Sequence, residues 1–251
     1  MSPTILVIPC YNEAARLDER AFLNFVDGAE GIDLLCVDDG STDETGTILE
    51  RLAAQRPGRI AALTLPRNMG KAEAVRRGFL AAFDRHPTHV GFWDADLATP
   101  LEDAIQFRAF LDSRPDLEAV FGSRVNLLGR HVRRGLLRHY VGRVFATLAV
   151  LALGIPIYDT QCGAKLFRAS DRLRSVFEKP FGTRWVFDVE IIARMAQVWD
   201  GRGVPHVRDL IFEMPLMVWR DVKGSKIRMT DFFRVGMDLM YVARTYPRTG
   251  R

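Results

Sequence analysis

The stretch FWDADLATP (92–100) sets two aspartates, Asp94 and Asp96, one residue apart, directly after an apolar run and just ahead of a proline. Aspartate is common where chains reverse, so a surface turn is one reading of the pair. The other reading is chemical. Hard divalent cations take carboxylate and phosphate oxygens, and magnesium commonly uses only one or two protein carboxylates beside substrate phosphates. Four more polar clusters follow apolar runs: PCYNE (9–13), DDGSTD (38–43), RNMGK (67–71) and GSR (122–124). Any one of them is an ordinary turn taken alone. Jointly they collect carboxylates, an aromatic ring, glycines that let backbone approach a ligand, and the cations Lys71 and Arg124. That inventory suits a nucleotide diphosphate bound with a divalent metal.

The elements that must position these clusters are short and β-rich: TILVI (4–8), IDLLCV (32–37), IAALTL (60–65), HVGFW (89–93) and LEAVF (117–121). They alternate with helix-length segments, which predicts an α/β fold with a mostly parallel, helix-covered sheet. Ala74, Phe79, Ala82 and Phe83 recur at helical spacing, and Pro100 stands where a first helical turn tolerates it. In open α/β sheets ligands bind beyond the carboxyl ends of the strands, where the polar clusters fall.

A chain of 251 residues can bury a full core without staples. Its three cysteines, Cys10, Cys36 and Cys162, have neither disulfide-framework nor metal-ligand spacing, so a reducing cytosol is expected. The start, MSPTILVIPCYNE, reads as a first strand rather than a signal peptide. The longest apolar stretch, Val144 to Ile155, would extend ~18 Å as a helix, well short of the ~30 Å hydrocarbon core of a bilayer. Net charge is +4 but uneven. Between Glu118 and Asp159 lie Arg124, Arg130, Arg133, Arg134, Arg138 and Arg143 and no acidic residue. Cations beside an apolar stripe in residues 130–155 are the make-up of an interfacial helix, and predict docking on a membrane surface. Nucleic acid is not an expected partner, because the basic segment lacks interleaved aromatic stacking residues.

In this order and wording the clusters resemble the family-2 inverting glycosyltransferases of GT-A fold, with a Rossmann-like sheet flanked by helices. More narrowly, they resemble the dolichyl-phosphate (polyprenyl-phosphate) sugar transferases, the beta-glucosyltransferases and mannose synthases. The likeness runs over roughly residues 4 to 230, through IPCYNE, VDDGSTDET, RNMGKAEAVRRG, DADLATP, GSR, DTQCGAKLF, WVFDVEI and VWRDVKGSKI. DTQCGAKLF with FDVE and GSK is closer to the glucosyl branch. The resemblance implies one transferase domain over 1–230, with 130–155 facing the membrane and acceptor, and a C-terminal helix and tail over 231–251. It also implies a peripheral enzyme on the cytoplasmic face of a membrane, with UDP-glucose or GDP-mannose as donor and a polyprenyl phosphate as acceptor. Nothing in the sequence sets the oligomeric state.

Carried over residue by residue, the resemblance assigns Pro9, Tyr11, Glu13 and Asp39, with Asp38, to the base and ribose of the donor. Asn12, Asn68, Lys71 and Ala95 fall in the same substrate-binding clusters. Asp94 and Asp96 would hold Mg²⁺ or Mn²⁺ across the two phosphates, Asp96 more directly. Arg124, Arg220 and Lys226 match basic positions that contact the diphosphate or the acceptor phosphate. Ala98 departs from a pattern in which several mannosyl relatives place a glutamine as a further ligand.

Inverting transfer puts growing negative charge on the departing diphosphate, so Asp96 through its metal, with Arg124 and Lys226, would act on that charge. A phosphate acceptor has a second pKa of about 6 and needs no general base. Asp159 is a candidate positioning carboxylate, or a base if the acceptor is a hydroxyl. Asp188 and Glu190 read equally as favourable charges at a helix start, and Trp93, Trp185 and Trp219 as packing residues. The competing classes are a family-2 transferase acting on a glycan or small-molecule hydroxyl, an aspartyl-phosphate phosphatase, a sugar-nucleotide pyrophosphorylase and a non-catalytic binding module. The late position of DADLA in the chain disfavours the phosphatase, and ILVIPCYNE lacks the glycine-rich start of a pyrophosphorylase.

Overall fold

The computed structural model describes residues 3–132, 136–199, 206–220 and 229–246. In chain order the elements are β1 (Thr4–Cys10), α1 (Glu19–Gly28), β2 (Ile32–Asp38), α2 (Thr45–Gln55), β3 (Ile60–Thr64), α3 (Lys71–Phe83), β4 (His89–Trp93), α4 (Asp103–Ser113) and β5 (Ala119–Ser123). They continue as β6 (His131–Val132), α5 (Leu136–Leu153), β7 (Ala164–Arg168), α6 (Asp171–Glu178), α7 (Phe187–Trp199), α8 (Val207–Leu210), β8 (Ile211–Pro215), β9 (Val218–Trp219) and α9 (Met229–Thr245).

The main sheet has the order β3-β2-β1-β4-β7-β5-β8. All neighbours pair in parallel except β7, which runs antiparallel between β4 and β5. Alternation within each strand feeds two cores. Ile5 and Val7 of β1 join α3, α6 and α7 on one face, while Leu6 and Ile8 join α1, α2 and α4 on the other. Because both faces are covered, the strands read as unbroken apolar runs, as buried parallel strands do. The chain leaves β1, adds β2 and β3 on one side and returns as β4 on the other. The crevice between the ends of β1 and β4 is therefore a switch point, where open α/β sheets bind ligands.

The helical spacing read from Ala74, Phe79, Ala82 and Phe83 is realised in α3, where all four are buried. Several boundaries differ from the sequence reading: β1 and β2 run on to Cys10 and Asp38, β3 stops at Thr64, and β5 ends at Ser123. The fifth strand starts at Ala119 rather than Leu117, and α4 starts at Asp103, so Pro100 lies ahead of the helix in a tight turn closed by Asp103 N–H to Pro100 C=O at 3.3 Å. Of the basic apolar segment, α5 buries Ala146 and Ala149 and exposes Val144, Leu148 and Leu151. Among the described residues no helix is long and apolar enough to cross a membrane.

Candidate active site

Three strand ends build the first half of the site. Cys10 and Asp38 are register partners, and the Asp39 N–H donates to Cys10 C=O at 2.8 Å, so the loops after β1 and β2 leave the sheet side by side. The loop after β1 is fastened to the one after β2. Asn12, with φ +51°, donates its N–H to Ser41 Oγ (3.0 Å) and accepts the Thr42 N–H at Oδ1 (2.9 Å), and the Glu13 N–H donates to Thr45 Oγ1 (2.8 Å). Asn12 thus has a positioning task that the sequence did not reveal. Asp38 is buried and accepts the Ser41 N–H at 2.9 Å. Asp39 accepts the N–H groups of Met69 (2.7 Å) and Gly70 (2.8 Å), one on each carboxylate oxygen, drawing the 67–71 loop to the site. Burial pushes the Asp39 carboxyl above its usual range, against the pull of those two amides and of the Arg184 charge. Tyr11 and Asn68 are exposed and Pro9 is partly buried at this edge.

The aspartate pair stands at the end of β4. The Asp94 N–H donates to Gly163 C=O at 2.9 Å, and the Asp94 carboxylate lies so close over Gly163 that a methyl there would overlap it. Lys71, the first residue of α3, pairs with Asp94 Oδ1. Burial opposes its charge, but Asp94, Asp188 and Asp96 outweigh that and hold the Lys71 ammonium above its ordinary pKa. Asp96 Oδ1 accepts the Ala98 N–H at 3.0 Å, Leu97 sits at φ +51°, and the buried Trp93 indole donates to Thr99 and Pro100 carbonyls (3.1 and 3.2 Å). Ala95 and Ala98 are buried in the core beneath, and Ala98 C=O accepts the Arg220 N–H at 3.0 Å. Arg220, exposed, is thereby tied to the aspartate loop.

Electrostatically the two halves are one site. Burial and then Asp94 raise the Asp96 carboxyl. Burial raises that of Glu13, with Asp96 and Asp94 adding to it against Arg16. Glu13 meets Arg16 through Oε1 at 2.7 Å, while its buried Oε2 has no partner. Three carboxylates that repel one another's charge make a setting that a divalent cation would relieve. Among the described residues no group of three or more His, Cys, Asp or Glu side chains is placed to hold a metal ion; the two carboxylates Asp94 and Asp96 match in chemistry the one or two that magnesium commonly takes beside substrate phosphates and water.

The other two predicted groups meet each other at the end of β5. The Arg124 guanidinium forks onto Asp159, Nε to Oδ2 and Nη2 to Oδ1, both at 2.7 Å. It also lies 5.5 Å from the Trp219 ring centroid. Glu213 fixes the carboxylate segment from behind by accepting the Tyr158 and Asp159 N–H groups, each at 2.8 Å. Asp159 is therefore the partner of a cation rather than a carboxylate standing free.

Asp188 and Glu190 stand in the first turn of α7, as the sequence reading had them. Both are buried with specific partners: Asp188 pairs at 2.6 Å with the wholly buried Lys165, and Glu190 accepts the N–H groups of Gly182 and Thr183 and pairs with Arg194. The reading of Trp185 as a packing residue is corrected, since it is exposed at the surface while Trp93 and Trp219 pack. Sequence reasoning missed Lys165, Glu213 and Arg184. A lone lysine inside the apolar run CGAKLF was the one available signal. Lys226, Arg133 and Arg134 lie outside the described residues.

With this geometry in view, the comparisons are consistent. The family model described as Glycosyl transferase family 2 matches residues 5–173. A dolichyl-phosphate beta-glucosyltransferase of Trichomonas vaginalis is 31% identical over 261 residues, covering 98% of this chain and 72% of that one. The dolichyl-phosphate beta-glucosyltransferase of Saccharomyces cerevisiae is 30% identical, covering 96% and 74%. Among solved structures, glucosyl-3-phosphoglycerate synthase of Mycobacterium tuberculosis, in complex with Mn²⁺, uridine-diphosphate and glucosyl-3-phosphoglycerate, superposes with a TM-score of 0.64 at 19% identity, covering 99% of this chain and 81% of that one. The last likeness is one of fold, and it agrees with the GT-A architecture expected from the sequence.

Proposed function

Because this chain belongs to glycosyl transferase family 2, we propose that it moves glucose from UDP-glucose to the phosphate of a polyprenyl lipid, with inversion at the anomeric carbon. That it is a glycosyltransferase follows from the family; the donor, the acceptor and the stereochemistry are our reading. One observation carries it: Asp94 and Asp96 follow β4 and Glu13 follows β1, the two strands that flank the switch point, in a chain similar over nearly its whole length to dolichyl-phosphate beta-glucosyltransferases.

In this reading Tyr11, Glu13, Asp38 and Asp39 receive the base and ribose at the ends of β1 and β2. Asp94 and Asp96 would hold Mg²⁺ or Mn²⁺, which would supply positive charge against that growing on the departing diphosphate. Lys71 steadies Asp94 from the first turn of α3. Arg124 is aimed by Asp159 and lends positive potential to the same region without giving up a proton. Arg220, fastened beside Ala98, and Lys226 take the acceptor phosphate. That phosphate arrives anionic at pH 7, since its second pKa is about 6, so the engagement of Asp159 by Arg124 costs the reaction no base. The exposed row of Val144, Leu148 and Leu151 on α5 supports docking of this segment on a membrane surface, which in our reading is the cytoplasmic face and carries the lipid acceptor.

A panel of sugar nucleotides with a short-chain polyprenyl phosphate and Mg²⁺ or Mn²⁺, scored for lipid-linked product, tests the proposal. UDP-glucose is expected to give product bearing a β-linked sugar. Turnover only with a glycan or small-molecule hydroxyl would refute the acceptor assignment. Co-sedimentation with anionic liposomes tests docking, and equal binding by the Arg133/Arg134/Arg138 triple-alanine variant would count against it.

A further inference from the structure

Arg184 lies in the loop that leads into α7, and that loop is gripped from two sides. From within, the fully buried Glu190 accepts the Gly182 N–H (3.1 Å), the Thr183 N–H (2.9 Å) and the Thr183 hydroxyl (2.8 Å). From outside, Asp238 of α9 accepts the Trp185 N–H, next along the loop from Arg184, at 3.4 Å. The ring of Tyr241, one turn further along α9, packs so close to Gly182 that a side chain there would overlap it. A backbone held this way presents its side chains in a set direction.

Arg184 is directed at the donor edge. Its Nη2 and Nε stand 3.1 and 3.3 Å from where a Cβ on Gly70 would be, and Gly70, at φ +94°, is the residue whose N–H caps Asp39 and which immediately precedes Lys71. Its charge reaches Asp39 without an ion pair. Among the described residues the Arg184 guanidinium makes no hydrogen bond or salt bridge, whereas Arg76, Arg124 and Arg194 each have their donors engaged. The side chain is exposed at the rim of the crevice. A planar fork of donors kept unengaged beside a site for phosphorylated substrates matches a phosphate group in shape and charge.

The geometry points to Arg184 as a phosphate-binding residue of the active site, aimed by α9 through Asp238. The inference rests on the transferase reading above, which places two phosphate sources at this crevice: the nucleotide donor and the lipid acceptor. Asp238 is a positioning residue, acting only through the loop.

The test titrates UDP and a short-chain polyprenyl phosphate separately into wild type, Arg184→Gln, Arg184→Lys and Asp238→Asn, with wild-type glucosyl transfer assayed alongside. Arg184→Gln is expected to weaken one of the two ligands about tenfold and leave the other unchanged, which identifies the phosphate source. Arg184→Lys should recover part of the loss, and Asp238→Asn should weaken the same ligand to a smaller degree. Arg184→Gln that binds both ligands as tightly as wild type overturns the proposal, and so does a wild type that binds neither. A wild type that binds UDP but makes no lipid-linked glucose sinks the transferase reading instead, and the UDP titration then decides the role of Arg184.

Discussion

Arg124 and Asp159 hold each other by two parallel bonds of 2.7 Å, and the Arg124 N–H adds a third to Asp159 Oδ2 at 3.0 Å. Both side chains are largely buried, so each carries the other's charge compensation. This pair joins the end of β5 to the segment ahead of β7 and fixes where the Arg124 guanidinium stands.

Asp159→Ala should accordingly strand a buried guanidinium. We expect a loss of about 3–5 kcal/mol in stability, the usual cost of breaking a buried pair from one side, together with a fall in kcat/KM. The double variant Arg124→Gln/Asp159→Asn should be more stable than Asp159→Ala, because no lone charge remains. Urea denaturation midpoints of the two variants check this, and equal midpoints would contradict it.

Gly163→Ala places a methyl where the Asp94 carboxylate rests. The expected outcome is a well-folded protein with transfer reduced at least about a hundredfold, since misplacement by about 1 Å is enough for losses of that order. Circular dichroism and product formation measured on the same sample separate this from misfolding.

Asp96→Ala should abolish transfer while leaving the melting temperature unchanged or slightly higher, because burial and Asp94 already oppose the charge on this carboxyl. In the wild type, EDTA should remove activity and added Mg²⁺ or Mn²⁺ should restore it. Full activity after exhaustive chelation would show that the aspartate pair acts without a cation.

Asp103, in the first turn of α4, is buried with Oδ2 unpartnered, and burial pushes its pKa up to about 6 from an ordinary 3.8. The folded protein therefore binds this proton more tightly than the unfolded chain does, and stability falls as pH rises from about 4 to about 6. Asp103→Asn should match the wild type near pH 4 and exceed it above pH 6. Thermal melts across that range decide the matter, and parallel curves would refute it.

Much of this protein is legible without coordinates. The runs TILVI, IDLLCV, IAALTL and HVGFW became β1 to β4 because burial on both faces demands unbroken apolar residues, and that demand is written locally. The polar clusters after them fell at the strand ends because a chain leaving a sheet must expose its backbone to polar partners. Asp94, Asp96, Glu13 and Asp39 were readable for that reason, and their order along the chain carried the family likeness.

What the tertiary structure alone decided is which distant residues meet. The antiparallel insertion of β7 between β4 and β5 carries Gly163 under Asp94 and Asp159 onto Arg124, pairs separated by 69 and 35 residues. Nothing near Lys165 names Asp188 as its partner, and nothing near Arg184 says that α9 will aim it. Residue type and spacing set local conformation through backbone and burial preferences that act within an element. The pairing of charges across elements is set by sheet order and helix docking, where many weak contacts sum over the whole molecule.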